Sequence, residues 1–269
     1  MSEFYTLDKF TARVNSENNG PPYDPTKTEP LLEALRSKKA TQGDIIAQAE
    51  LQNRETQRQE ATIEAKIAQA EKVITDMREW LTQDGTYSSE EIDERLSKLT
   101  VEYDNDTDQV ITSGSLNLRT LTSAEGLTLP QSVGGELYLG SLTSAEGLTL
   151  PQSVGGDLDL RDLTSAEGLT LPQSVGGTLS LRSLTSAEGL TFPESVGGDL
   201  DLRDLTSAEG LTLPQSVGDY LDLTSLRSAE GLTLPQSVGG DLNLRDLNSE
   251  DRQKLRELRP DLADKIEGI

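Results

Sequence analysis

The sequence predicts an α+β chain: an N-terminal helical hairpin or coiled-coil module, then a β-solenoid of 21-residue repeats, then a C-terminal helical cap. Three observations predict it. Leu116, Leu137, Leu158, Leu179, Leu200, Leu221 and Leu242 stand 21 residues apart with no insertion, and a fixed period in this range marks units that bury their apolar sides only against their neighbours. Before the repeats, Ile63, Ile67, Ala70, Ile74, Met77 and Leu81 alternate spacings of four and three, the seam of a coiled-coil helix. After them, Leu255, Leu258, Leu262 and Ile266 follow an Asn-Ser-Glu-Asp start, which reads as an N-cap with acids in a first helical turn.

Residues 1–28 are rich in Asn, Gly and Pro with little apolar periodicity and read as a loose lead-in. Residues 29–98 form the helical module. Leu31, Leu32 and Leu35 suggest a short helix, and Thr41 with Asp44 opens a long one over about residues 41–82. Asp84-Gly85 marks a turn, and Ser89 opens a second helix to about residue 99, carrying Ile92, Leu96 and Leu99. The economical reading is an antiparallel hairpin of residues 61–81 against residues 90–99. The competing reading is a homo-oligomer through residues 61–99, because helices of this length are marginal without a packing partner. Residues 99–114, with Asp104-Asn105-Asp106-Thr107 between two β-branched runs, read as a β-hairpin closing the first coil.

The repeat reads x-L-x-L-x-x-L-T-S-A-E-G-L-T-L-P-Q-S-V-G-G, with six full copies over residues 115–240 and a seventh begun at Asp241, so the repeat region spans 115–247 and the cap 248–269. Alternation in Asp157-Leu158-Asp159-Leu160-Arg161 predicts a half-buried strand. Leu169-Thr170-Leu171 predicts a second strand, ended by Pro172, which has no ladder donor. Gly176-Gly177 is expected to supply the permissive backbone of the turn, and Ser-Ala-Glu to start a single helical turn that Gly stops. In the seventh unit that Gly is missing, so the turn is expected to grow into the C-terminal helix. The inward set is Leu158, Leu160, Leu163, Ala166, Leu169, Leu171 and Val175.

The elements L-x-L and L-x-L-P-x-x-V at a spacing near twenty resemble the short bacterial leucine-rich repeats with an L-P signature. The resemblance covers about residues 115–247 and implies that the x positions of the first strand bind protein partners. It departs in two ways: Leu121, Leu142, Leu163, Leu184, Leu205 and Leu226 stand where the family carries Asn, and the unit is one residue longer. A plain β-solenoid is the alternative geometry.

Composition excludes several function classes. With neither His nor Cys there is no His-assisted nucleophile, ordinary zinc, haem or iron–sulfur site, or disulfide framework. A formal charge of −23 argues against direct nucleic-acid binding. That charge is spread along the chain, at −10 over residues 1–114, −11 over 115–240 and −2 over 241–269. No apolar run is long enough for a membrane span, and no signal region opens the chain, so a cytoplasmic or virion-associated location is expected. Paired carboxylates such as Asp157 and Asp159 lack an apolar pocket to raise their pKa, so no catalytic residue, cofactor or metal is assigned and the chain reads as a non-enzyme.

The copies differ chiefly at the outward positions of the first strand: Ser115/Asn117/Arg119, Glu136/Tyr138/Gly140, Asp157/Asp159/Arg161, Thr178/Ser180/Arg182, Asp199/Asp201/Arg203, Tyr220/Asp222/Thr224 and Asp241/Asn243/Arg245. The bland reading is drift on a solvated face. The functional one is a diversified surface for a protein partner, with Tyr138, Asp157, Asp159, Arg161, Arg182, Asp199, Asp201, Arg203, Tyr220 and Asp222 as the candidate contacts. Tyr138 and Tyr220 favour it, since exposed Tyr and Arg are preferred interface anchors. Alternation of Asp162, Asp204 and Asp246 with Ser141, Ser183 and Ser225 reads as charge spacing, offset by Arg161, Arg203 and Arg245. The recurring Glu125, Glu146, Glu167, Glu188, Glu209 and Glu230 read as a solvated edge, with a calcium row as the sharper idea, and the Thr128–Thr233 column as an ice-binding face reads weaker still. The expected function is a protein-interaction scaffold. The alternatives are a structural or virion rod, and an acidic mimic of nucleic acid that occupies a DNA-binding protein.

Overall fold

A computed structural model describes residues 42–104 and 109–267. The loose lead-in, the short helix at Leu31–Leu35, the Thr41 cap and the turn over residues 105–108 lie outside the described residues. The chain divides into two compact units, residues 1–66 and 67–269. In the first, the described residues all belong to helix α1 (Gln42–Asp84), whose 43 residues are mostly Ala, Gln, Glu, Lys, Arg and Ile, good helix formers with no Pro to interrupt them.

In the second unit α1 runs three residues beyond Leu81 and ends where Gly85 takes φ +74° and donates its N–H to the Leu81 carbonyl at 3.3 Å, the left-handed stop that Gly permits. Helix α2 (Ser89–Leu96) is shorter than the expected 89–99. Its cap is Ser88, one residue before the expected Ser89. Ser88 Oγ accepts the Glu91 N–H, and the Glu91 carboxylate accepts from the Ser88 N–H at 2.8 Å. Those bonds hold the Glu91 carboxyl below its usual range. Met77, Leu81, Tyr87, Ile92, Leu96 and Leu99 are buried in one cluster with Leu116, Leu118 and Leu121. Trp80 donates its indole N–H to the Glu125 carbonyl at 3.1 Å.

Strands β1 (Thr100–Asp104) and β2 (Gln109–Ser113) pair antiparallel, Thr100 opposite Ser113. The return strand does more than turn the chain. Gly134 donates to the Thr112 carbonyl at 2.6 Å and Gly135 to the Gly114 carbonyl at 2.8 Å, the bonds that Gly155 and Gly156 make to Val133 and Gly135 one coil later. β2 therefore holds the place of a preceding coil.

The repeats build a solenoid of about seven turns with two parallel sheets. The first strands begin at Leu116–Asn117 and recur in register every 21 residues to Leu242–Asn243. With a last strand at Ile266–Glu267 they make an eight-stranded sheet, the long sheet. Between the two layers lie leucines with no exposed surface, among them Leu158, Leu160, Leu163, Leu200 and Leu202.

Four expectations need correction. The second sheet does not form at Leu169-Thr170-Leu171. Its six strands are the Ser-Val pairs beyond the proline, Ser132–Val133 to Ser237–Val238, and the Leu-Thr-Leu runs are joined by one isolated bridge, Thr128 to Thr149. Pro172 itself is buried, and with no N–H to give, the ladder can begin only after it, where Gln173 donates to Gln152 at 2.8 Å. Second, Ala-Glu-Gly-Leu is not a helical turn but a four-residue one, closed by the Leu127 N–H on the Ala124 carbonyl at 3.0 Å, with Gly126 at φ +79° as a type II turn requires. Third, the paired glycines are needed for closeness, not for a turn: a Cβ on Gly176 would stand 2.2 Å from the Gly155 carbonyl oxygen.

The fourth concerns the C-terminus. Helix α3 (Ser249–Leu258) starts where Arg252 replaces the turn glycine and is capped by Asn248, whose Oδ1 accepts the Asp251 N–H at 2.8 Å. It stops before Pro260. Leu255, Leu262 and Ile266 are buried, but Leu258 is 66% exposed and Ile266 lies in a strand. Among the described residues no helix is long and apolar enough to cross a membrane.

Candidate interaction face

The first-strand residues that point away from the leucine layer form a grid on the long sheet, one row per coil about 4.8 Å apart and three columns wide. The first column is Ser115, Glu136, Asp157, Thr178, Asp199, Tyr220 and Asp241. The second is Asn117, Tyr138, Asp159, Ser180, Asp201, Asp222 and Asn243. The third is Arg119, Gly140, Arg161, Arg182, Arg203, Thr224 and Arg245. The ladder register aligns the rows, with Tyr138 beside Asp159 and Asp201 beside Asp222.

Much of the acidic content of this grid serves the backbone. In the second column Asn117, Asp159, Asp201, Asp222 and Asn243 each accept the backbone N–H two residues on, at 3.0–3.3 Å. This is the local turn that Asx side chains favour where a strand ends. In the first column Ser115 Oγ, Asp157 Oδ1 and Asp199 Oδ1 accept the N–H of Glu136, Thr178 and Tyr220 in the next coil, at 3.1, 2.8 and 2.9 Å. Every other coil thus carries the group that satisfies the strand start of its successor. The outward Asp159 and Asp222 are not exposed: each has only 3% of its surface open.

Two clusters result. Arg161 grips Asp159 with Nε at 2.8 Å and Nη2 at 2.6 Å. From two coils away Arg119 reaches the same carboxylate at 3.5 Å while its guanidinium lies 3.9 Å from the Tyr138 ring centre. Gly140 makes this convergence possible, since a Cβ there would stand 3.1 Å from Asp159 Oδ2. At the other end Arg203 Nε bonds Asp222 at 3.1 Å, Thr224 Oγ1 donates to Asp222, and Asn243 Nδ2 donates to Thr224 at 2.6 Å. These carboxylate bonds raise the Arg161 and Arg203 pKa values further above their ordinary range. Arg161 and Arg203 are bonded here, and the charges of Asp162 and Asp204 also act on them through space.

Between the clusters the groups are less committed. Asp201 is half-buried, accepts the Arg203 N–H at 3.1 Å, and lies 3.9 Å from its guanidinium. Burial pushes its carboxyl above the usual aspartate range. Tyr138 and Tyr220 are half-buried on the face, and burial, then neighbouring carboxylates, push both phenols up. Arg182 is exposed. All ten candidate residues therefore lie on one face, but Asp159 and Asp222 hold it together from within. Sequence reasoning missed Arg119, Gly140, Thr224 and Asn243 as members of the clusters. The readable signal was an Asx residue two positions before the third column.

Elsewhere, each recurring Glu of Ser-Ala-Glu is exposed and gives its backbone N–H to the Ser hydroxyl two residues before, at 3.1–3.4 Å. Among the described residues no three acidic side chains converge to hold a metal ion. No protein-family model, characterised protein or solved structure matches the chain.

Proposed function

We propose that this chain is a non-enzymatic protein-interaction scaffold that meets its protein partner with the outer face of the long sheet. The observation that carries this reading is where the copies differ. The leucines, the Pro, the turn Gly and the Thr and Gln of the other side are nearly constant, whereas the grid changes from row to row. Backbone duties account for the Asx residues of the grid but not for Tyr138, Tyr220 or Arg182. A 21-residue slip reproduces the same scaffold, so only these side chains give a partner its register. Tyr138 and Tyr220 stand four coil steps apart, about 19 Å, within the span of an ordinary interface. The likeness to short leucine-rich repeats, carried by L-x-L and L-P-x-x-V, supports the same face.

The two ends fit a finite rod. We read the buried Met77, Leu81, Ile92 and Leu96 as a guard on the first coil, and residues 248–267, which end in a strand beside Leu242–Asn243, as a cap on the last. A bare end would leave strand edges open to other chains.

The test is affinity capture with the full chain, identification of the partner by mass spectrometry, and measurement of its binding. Tyr138→Ala with Tyr220→Ala should weaken binding by at least about 2 kcal/mol and change thermal stability little, while Thr149→Ser with Thr170→Ser should do neither. Binding indifferent to the tyrosines and abolished by the Thr changes would move the functional face to the other side. Steep release by salt, with a DNA-binding partner, would instead favour the acidic-mimic reading.

A further inference from the structure

We infer that the fourth coil of this face seats a carboxylate side chain of the partner, presented by a helical segment with basic residues on either side of the acid. The inference rests on the interaction-face reading above and names the chemistry of its partner.

The argument begins with where the cations go. Residues 115–240 contain five arginines. Arg119 and Arg161 converge on Asp159, and Arg203 is bonded to Asp222. Arg227 lies off the grid. Arg182 sits in the middle row of the third column, exposed, and its guanidinium makes no hydrogen bond or ion pair among the described residues, reaching the Asp201 charge only through space. Its row contains no acid: Thr178, Ser180, Arg182 and Ser183 sum to +1. The rows on both sides, Asp157/Asp159/Arg161 and Asp199/Asp201/Arg203, sum to −1 each, and to −2 with the next residue along the chain, Asp162 and Asp204.

A single positive charge therefore stands at the centre of an acidic face, bordered by the hydroxyls of Ser180 and Ser183. A planar guanidinium with free donors takes a carboxylate through two parallel hydrogen bonds. The next rows, about 4.8 Å away on each side, want cations. On an α-helix, residues i, i+3 and i+7 advance about 4.5 and 10.5 Å, close to one and two coil steps. A strand offers same-side residues about 6.6 Å apart and fits less well. The complementary segment is thus a helix with Lys or Arg at i, Glu or Asp at i+3 or i+4, and Lys or Arg at i+7, lying along the stack.

The test uses a surface-displayed library of helical peptides, randomised on one face and sorted against the full chain. Enriched peptides should carry the basic–acidic–basic order. Arg182→Glu should weaken them at least about tenfold, and changing the central peptide acid to Lys should restore binding to that variant. Arg227→Glu, an equal charge change off the grid, should leave affinity unaltered, and the unfolding midpoint of every variant should match the parent. A library that yields no binder, or binders of other charge order, overturns the inference. Binders that ignore Arg182→Glu but are lost with Tyr138→Ala and Tyr220→Ala overturn it while leaving the interaction face standing. Binders indifferent to all three changes sink both.

Discussion

Two glycines of the repeat should respond to alanine for different reasons and by different amounts. Gly197 is exposed, and an exposed position away from special features usually tolerates a methyl group within about 0.5 kcal/mol. Here the Cβ would stand 2.1 Å from the Gly176 carbonyl oxygen and 2.7 Å from its carbon. Both are backbone atoms, so no rotamer change relieves the overlap. The two coils must separate by about 1 Å, which strains the Gly197 N–H bond to Val175 (3.0 Å) and the Gly198 N–H bond to Gly177 (2.9 Å). Each is worth about 1 kcal/mol net, and forcing packed backbone apart adds about 1–3 kcal/mol, so the expected loss is about 3–5 kcal/mol. Gly168 has φ +74° with nothing within 4 Å of an added Cβ, so Gly168→Ala costs only left-handed strain, about 1–2 kcal/mol. Urea unfolding of the full chain, followed by far-ultraviolet circular dichroism, compares the two variants. Equal losses, or a larger loss for Gly168→Ala, would refute the close-approach account of the paired glycines.

Other perturbations separate structural from free groups on the same face. Asp159→Ala should cost about 2 kcal/mol, since it releases Arg161 and Arg119 and unmakes the turn at the strand end; a loss as small as that of an exposed acid would show that the cluster does not hold the sheet. Asp201 should give a pH signature. Its folded pKa is raised by burial, so the native state holds its proton more tightly than the unfolded chain does, and the stability this gives at low pH is lost as pH rises through the raised value. Asp201→Asn should therefore gain on the parent as pH climbs above the usual aspartate range, by under about 1 kcal/mol because the group is half-exposed; the opposite sign in denaturation curves would contradict the shift. Cutting the chain after Asp246 should make the repeats aggregate, because it bares Leu242 and Leu244 along with an open edge; a monomeric, equally stable truncation would show that residues 247–267 are not needed at that end.

The period was legible because Leu is the only residue type at its three inward first-strand positions. Which outward run would ladder was not. Leu169-Thr170-Leu171 and Ser174-Val175 are both short extended stretches, and the choice between them turns on donors. Proline withholds an N–H between them, so the regular bonds fall after it. The role of the glycine pair is hidden in the sequence for a related reason: Gly is a permissive residue, and the sequence does not say whether φ or contact demands it, and here contact does. On the face, outward projection was right while exposure was wrong for Asp159 and Asp222. Their neighbours in space, Arg161 and Arg119 for one and Arg203 and Thr224 for the other, come from one or two coils away as well as from the same strand end. A period of 21 brings them together only once the register is known.

The two ends show how far polarity alone can decide what a terminus needs. At the ends of the long-sheet strands N–H groups are given forward to the next coil, as Leu137 does to Asp157, whereas at the ends of the short-sheet strands they are given backward, as Gly155 does to Val133. At those strand ends the last coil therefore presents N–H groups on one side and carbonyls on the other. The chain answers each in kind. Ile266–Glu267 lies beside Leu242–Asn243 as a further parallel strand. The carbonyl side is met by cations: Lys265 Nζ donates to Val238 and, at 3.0 Å, to Gly239. Arg259 Nη2 reaches Gln236 at 3.0 Å, while on the long-sheet side Arg252 Nη1 reaches Arg245 at 3.0 Å and Leu244 at 3.2 Å, just beyond the strand Leu242–Asn243. At the first coil the short sheet is open the other way, with N–H groups outward, and β2 supplies carbonyls there. Six of the chain's 24 Lys and Arg fall in its last 29 residues, and three of those six sit on backbone oxygens of the last coil. Two of them, Arg259 and Lys265, stand where the short sheet points its carbonyls.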